Sequence, residues 1–393
     1  MKKINTLGMV SVMLLAGSSL LSPAASFAGD TVTVGVVTTI SGPAGYLGAD
    51  VRDGLQLAID QAGGKFGGHE VKLVVQDDAA DPEKAKSAMD LLIRRDSAKI
   101  ITGGVFSHVA LATAPSAARQ GAVFVSPVAG PSLLAGSGCN ASIFVASEQN
   151  DGTMEAAGEI ASKKGYKTAF ILAPNYAAGK DALTGFKRTY KGSVVGEKYT
   201  DFTQTDFSAE IAEIRDSKPE VVFQFLFGEA ASNFINQYVD AGIKTPLILT
   251  PYSLDEAGLK NLGAKAQGIT VTTYWDKSFD NPANKAFVEK FTTKFGRPPS
   301  IYAATGYDTG NLIGAGIAAA GADVADQAKL SAAIASAKFD SVRGSDFALG
   351  HNRFPVQDYY ATTIVSKDGA TKVEVGEKVF SKHVDAYAAE CPQ

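Results

Sequence analysis

An alternation of strands and helices that starts over near the middle of the chain sets the architecture. Val32 to Thr39 reads as a strand, followed by the turn Ser41-Gly42-Pro43 and a helix from about Ala49 to Gln61. In that helix Val51, Leu55, Ala58 and Ile59 recur at helical spacing and make one packed face. Val71 to Val75 is the next strand, and Pro82 suits the first turn of a helix carrying Ala85, Met89, Leu92 and Ile93. Lys99 to Gly103, Ser107 to Arg119 and Ala122 to Ser126 continue as strand, helix and strand. The rhythm restarts at Asn150 with a helix to about Lys164, the strand Lys167 to Leu172, a helix near Ala178 to Tyr190 and a strand near Val194 to Tyr199. The helix Phe207 to Arg215, the apolar strand Val221 to Leu226, the helix Ala230 to Ala241 and a strand from Pro246 follow. Two such units predict two α/β domains, each a parallel sheet covered by helices on both faces. Helices Lys285 to Phe295 and Tyr307 to Ala320 have no full new sheet after them and are expected to pack back on the first domain. Lobes joined by several connections close like jaws, and the cleft between them is the expected ligand site.

A length of 393 residues exceeds one comfortable core, which fits this division. The formal net charge of -4 comes without a basic block, so no nucleic-acid partner is expected. Two cysteines and four histidines leave no structural zinc set, and neither metal nor cofactor is expected. Residues 1–28 read as a signal peptide: Lys2 and Lys3 precede the mostly apolar or small stretch Leu7 to Leu21, and Ser26-Phe27-Ala28 supplies the cleavage residues. No later apolar run reaches membrane-spanning length, so the mature chain is expected to be exported without membrane insertion. Export favours a bond between Cys139 and Cys391, tying the C-terminal tail to a loop near mid-chain; two separate buried thiols are the alternative.

Enzyme signatures are missing. The loop after the first strand, Thr39 to Gly45, lacks the three-glycine dinucleotide fingerprint, and no Walker A spacing, nucleophile elbow or His-Glu-x-x-His motif occurs. His69, beside Gly67-Gly68, is expected to be solvent exposed, and His351 and His383 fall in loop-like or terminal stretches. His108 is placed to approach the cleft. Asp77, Asp78 and Asp81 read as a strand end, a turn and a helix cap rather than a metal cluster. The stretches Gly103 to Ser107 and Ser126 to Gly130 put hydroxyls and free amides at a sheet's carboxyl edge, an arrangement that suits a carboxylate. The alternative is that Ser107 merely caps its own helix.

Taken in order, several segments give a family resemblance. Val34-Gly35-Val36 through Ser41-Gly42-Pro43, Asp77-Asp78 through Asp81-Pro82, Gly103 to Ser107, Ser126-Pro127 and Tyr302 through Tyr307-Asp308 resemble the leucine/isoleucine/valine-binding family of periplasmic solute-binding proteins of ABC transporters. The resemblance implies the two-lobed type I fold, with 30–147 plus 276–345 as lobe 1 and 148–275 plus 346–393 as lobe 2. A periplasmic monomer that hands a small carboxylate to a membrane permease is implied as well. Its family roles fall on Ser107 for the carboxylate, on Val128, Ala129 and Gly130 for main-chain contacts, and on Tyr46 as a first-lobe aromatic wall. Tyr176, Phe227 and Tyr252 belong to the opposing jaw.

Tyr252 departs from the family pattern. Amino-acid-binding members commonly carry glutamate after that proline, to pair with the ligand's ammonium group; here the reading is Thr250-Pro251-Tyr252. A buried ammonium against neutral groups costs several kcal/mol. Asp308 and Glu229 are the candidate replacements. With Tyr46, Phe106, Tyr176, Phe227 and Tyr252 near Ser107, the cleft suits an aromatic acid such as benzoate, 4-hydroxybenzoate or a phenylpropanoid acid. Tyrosine phenols, His108 or Asp308 would then receive a ring hydroxyl, whereas Phe223 and Phe225 share a strand period and read as core. The alternatives are a branched-chain or other aliphatic amino acid, or a ligand-sensing receptor component.

Overall fold

The computed structural model describes residue 1 and residues 29–344, 347–367 and 370–392; the rest of the predicted signal peptide lies outside the described residues. Two sheets organise the molecule. The first has six strands in the spatial order Lys65–Phe66, His69–Asp77, Gly29–Thr38, Ile100–Gly103, Val123–Ser126 and Ile143–Val145. All its pairings are parallel except that of the short edge strand Lys65–Phe66. Burial on both faces explains the nearly continuous β-branched runs. Val34, Ile100 and Val123 cluster with Leu312, Ile313 and Ile317, while Ile101 and Phe124 cluster with Met89, Leu92 and Val109.

Helix Ile301–Ala320 returns to this first sheet and lies against helix Gly45–Gln61. Small residues let the two backbones approach: a Cβ on Gly54 would stand 2.1 Å from the Ala303 carbonyl oxygen, and one on Gly306 2.3 Å from that of Val51.

The second sheet has eight strands. Thr168–Pro174, Ser193–Thr200, Val221–Gln224, Leu247–Leu249 and Thr270–Thr273 pair in parallel. The antiparallel hairpin Pro355–Lys367 and Ala370–His383, with the short Ala348–Leu349, extends it at the Thr270–Thr273 edge. Strand–helix alternation does not announce this hairpin, because neither strand is followed by a helix. The chain crosses between the sheets after Ile143–Val145, after Thr270–Thr273 and between Gln327–Ser336 and Ala348–Leu349. Cys139 and Cys391 are disulfide-bonded, with Cα atoms 5.5 Å apart across 252 residues of sequence. Among the described residues no helix is long and apolar enough to cross a membrane.

Two histidine expectations are corrected. His69 is 8% exposed rather than open to solvent, because it is paired to Phe66 at the sheet edge. His383 ends a strand instead of lying in a loop, and its ring stacks on Phe380 and faces Glu155.

Candidate functional site

Strand Ile100–Gly103 ends in Gly103 and Gly104, with φ of +129° and +79°. A Cβ on Gly103 would meet the Val37 carbonyl oxygen at 1.7 Å, so the turn requires glycine. It delivers Phe106 as the N-cap of helix Ser107–Arg119, with Ser107 as the first helical residue. The amides of Val109 and Ala110 both turn back to the Phe106 carbonyl. Those of Ser107 and His108 are at the open helix end, where backbone donors and the helix dipole favour an anion.

Ser107 does not cap its own helix. Its Oγ accepts a hydrogen bond from Asn150 Nδ2 at 3.0 Å, and the same nitrogen donates to Asp181 Oδ2 at 2.8 Å. Asn150 Oδ1 in turn accepts from the Gly130 amide at 3.0 Å. One amide side chain at the first crossing therefore holds two loops of the first sheet against helix Ala177–Thr189 of the second. Ser132 reinforces the contact through its N–H and hydroxyl to Asp181, at 3.0 and 2.7 Å.

Between the lobes lies a cavity of about 30 Å³. From the first lobe it is lined by Val105, Phe106, Ser107, Val128 and Tyr302, and from the second by Tyr176, Ala178, Phe225, Phe227 and Tyr252. The rings support one another: Phe106 lies 5.6 Å from Phe227 and 5.2 Å from Phe202, and Tyr176 stacks on Phe225 at 6.4 Å. No charged side chain lines this cavity among the described residues. A second, larger groove of about 390 Å³ borders it, sharing Tyr252 and Tyr302 and adding Tyr46, Asp50, Asp255 and Trp275.

Of the sequence-predicted residues, Phe106, Ser107, Val128, Tyr176, Phe227 and Tyr252 meet at the cavity. The others do not. Tyr46 stands at the rim, 38% exposed, and lines the groove instead. The main-chain contacts expected of Ala129 and Gly130 are already spent. Ala129 N donates to Gly104 O and its carbonyl accepts from Ser126 Oγ, while Gly130 N and O both bond Asn150. His108 turns its Nε2 onto the Ala80 carbonyl at 2.9 Å and packs its ring between Phe106 and Phe202.

Asp308 is corrected outright. It is fully buried and bound to Arg343 Nε at 3.0 Å, to Ser341 Oγ at 2.6 Å and to the Val342 amide at 3.1 Å, so its carboxylate is not available to a ligand. Glu229 sits in the first turn of helix Gly228–Asp240, outside the lining. Phe225, read as core beside Phe223, belongs to the same buried cluster and also reaches the cavity. Phe223 stays in the core and stacks on Phe186.

Sequence reasoning missed Glu148, Asn150 and Phe202. Glu148 is 1% exposed; its carboxylate accepts from the Tyr252 hydroxyl at 2.8 Å and from the Thr153 amide and hydroxyl, each at 3.0 Å. Burial pushes its pKa up to about 8, and these hydrogen bonds oppose the rise. The only available signal was position, in the polar run Ser147 to Asp151 at the restart of the alternation.

A gap between two lobes, linked by three crossings of the chain and walled by neutral rings around a helix start, is the arrangement of a two-lobed ligand-binding protein. Residues 31–370 match the family described as periplasmic binding protein, and the chain belongs to that family. It is 30% identical over 380 residues to Leu/Ile/Val-binding protein homolog 6 of Brucella abortus, covering 93% of this chain and 95% of that protein. Its structure is similar to an ABC-transporter solute-binding protein from R. palustris in complex with benzoate, with a TM-score of 0.87 and 32% identity over 92% of this chain and 100% of that one. Another R. palustris solute-binding protein, in complex with 4-hydroxybenzoate, matches with a TM-score of 0.84 and 29% identity over 90% of this chain and 98% of that one.

Proposed function

We propose that the protein captures a small aromatic carboxylate in the periplasm and presents it, in the closed form, to the permease of an ABC transporter. The observation that carries this reading is the cavity wall: six aromatic rings from both jaws, no charged side chain among the described residues, and Ser107 at an open helix start. Ser107 and the free amides beside it receive the carboxylate through charge-assisted hydrogen bonds. Phe106, Tyr176, Phe225 and Phe227 cover the ring by stacking and edge contacts. Ligand affinity for the closed form supplies the free energy that shifts the jaws. In this reading 30–147 with 276–345 move as one lobe and 148–275 with 346–393 as the other, and a single chain completes the site. The benzoate and 4-hydroxybenzoate complexes of the R. palustris relatives support the ligand class.

A branched-chain amino acid is the second reading, favoured by what the Brucella relative is named for. An ammonium in this cavity would face Tyr252, whose hydroxyl is engaged with a Glu148 already occupied by Thr153. The test is to purify the protein under native conditions, denature it and identify any released small molecule by mass spectrometry. Fluorescence titration with benzoate, 4-hydroxybenzoate and leucine follows. Binding of an aromatic acid without leucine binding is expected; tight leucine binding with no response to either acid overturns the reading.

A further inference from the structure

Tyr302 stands where two spaces meet. Its ring lines both the small cavity and the larger groove, whereas Ser107 and Val128 line the cavity alone. The cavity therefore has two ends, a helix-start end at Ser107 and a phenolic end at Tyr252 and Tyr302. The hydroxyls at the phenolic end differ in what they are free to do. That of Tyr252 is committed to Glu148 at 2.8 Å and Tyr274 at 3.1 Å. The Tyr302 hydroxyl has no hydrogen-bond partner among the described residues, although the side chain is only 7% exposed.

A mostly buried hydroxyl with no protein partner is free to bond a ligand, and a site that offers one favours a ligand able to bond it. Burial also raises the phenol's pKa well above its ordinary value, so it stays neutral and both donates and accepts. Its placement is rigid. Tyr302 is the second residue of helix Ile301–Ala320, whose N-cap Ser300 accepts from the Ala303 amide and bonds Asp50. The ring lies 5.7 Å from that of Tyr252.

We propose that Tyr302 is the specificity residue that reads a hydroxyl on the ring position remote from the carboxylate, so that the site prefers 4-hydroxylated aryl carboxylates to unsubstituted ones. This rests on the aromatic-acid reading above and goes beyond it by naming the group that selects within that class. Tyr176, the other cavity phenol without a hydrogen bond, is half-buried and does not border the groove.

Calorimetric titration of the native protein, Tyr302→Phe and Tyr176→Phe with benzoate, 4-hydroxybenzoate and 4-methylbenzoate tests it. The native protein is expected to prefer 4-hydroxybenzoate to both other acids. Tyr302→Phe is expected to weaken 4-hydroxybenzoate by roughly tenfold and to leave benzoate nearly unchanged. Retained benzoate binding reports that the variant is folded, and the 4-methylbenzoate comparison reads the same preference without any substitution. If the native protein binds both benzoate and 4-hydroxybenzoate but does not favour the latter over 4-methylbenzoate, the inference fails while the aromatic-acid reading stands. Loss of the preference in Tyr176→Phe and not in Tyr302→Phe overturns it too. A native protein that binds none of the three acids overturns the underlying reading and the inference together.

Discussion

The Tyr252 hydroxyl donates to the Glu148 carboxylate across 2.8 Å, and that bond joins the cavity wall to the hinge. Tyr252 faces the ligand space, while Glu148 lies on the first crossing, just past strand Ile143–Val145. Tyr274, at the second crossing, bonds the same Tyr252 hydroxyl at 3.1 Å, and Tyr359, in the strand beyond the third, also reaches Glu148. Tyrosines at or beyond the second and third crossings thus gather around the acid of the first. Displacing Tyr252 changes the hydrogen bonding of the hinge itself.

Glu148 should make stability depend on pH. Its folded pKa of about 8 lies above the ordinary 4.5, so the fold holds an extra proton between those values. The stabilisation it gives is complete below the lower value and is lost as pH rises through about 8. Asp151, raised to about 6 chiefly by burial, acts with the same sign at lower pH. Melting curves from roughly pH 7 to 9 isolate the Glu148 contribution. The native Tm is expected to fall by about 2 °C over that range, and Glu148→Gln, which keeps an acceptor for Tyr252 but does not titrate, is expected to flatten the fall. Equal slopes in the two proteins would refute the assignment.

Removing the Ser107 hydroxyl should act on binding more than on folding. Asn150 keeps its bonds to Asp181 and Gly130 in Ser107→Ala, so the junction between the lobes persists. The carboxylate loses one charge-assisted donor, worth about 1–3 kcal/mol. Titration with the best aromatic acid should show that loss beside a nearly unchanged ligand-free Tm. An unaltered affinity would remove Ser107 from the site.

What was legible in the sequence divides along a physical line. Helix faces such as Val51, Leu55, Ala58 and Ile59 announce themselves because burial repeats with the helical period, and all four are buried. The turn at Gly103-Gly104 leading to Ser107 is readable for a similar reason, since a backbone constraint fixes residue type. Glu148 and Asn150 were not readable. Nothing periodic separates a buried acid at a hinge from a solvated one in a polar loop, and their partners lie 104 and 43 residues away. Asp308 misled because a carboxylate on a cleft helix looks like a ligand group until Arg343, 35 residues on, is seen to claim it.

The Cys139–Cys391 bond should stabilise without tuning the ligand. It closes a loop of 252 residues and fastens the C-terminal segment beside Gly136, away from the residues that line the cavity. The double variant Cys139→Ser/Cys391→Ser is expected to lose about 2–4 kcal/mol of stability in denaturant melts. Aromatic-acid affinity measured well below the new midpoint should stay within about twofold, because one turn of tail is far less than the lobe contact at Asn150. A large affinity loss in the folded variant would mean that the tail positions the jaws.

Arg343 and Asp308 form a buried pair, with side chains 5% and 0% exposed, and the pair clamps the hinge. The guanidinium also donates to the carbonyls of Ala146 and Ser147 on the first crossing, at 2.6 and 2.7 Å, and to Gln357 Oε1 near the third at 2.8 Å. Asp308→Asn keeps the shape but leaves that cation without its counter-charge inside the protein. Breaking one side of a buried ion pair costs about 3–5 kcal/mol, more than removing both partners together. The single variant should therefore melt well below the native protein, and Asp308→Asn/Arg343→Met should recover part of the loss. Ligand preference between benzoate and 4-hydroxybenzoate should be the same in every folded variant, since neither residue lines the cavity. A selective loss of 4-hydroxybenzoate binding in Asp308→Asn would instead return that carboxylate to the ligand site.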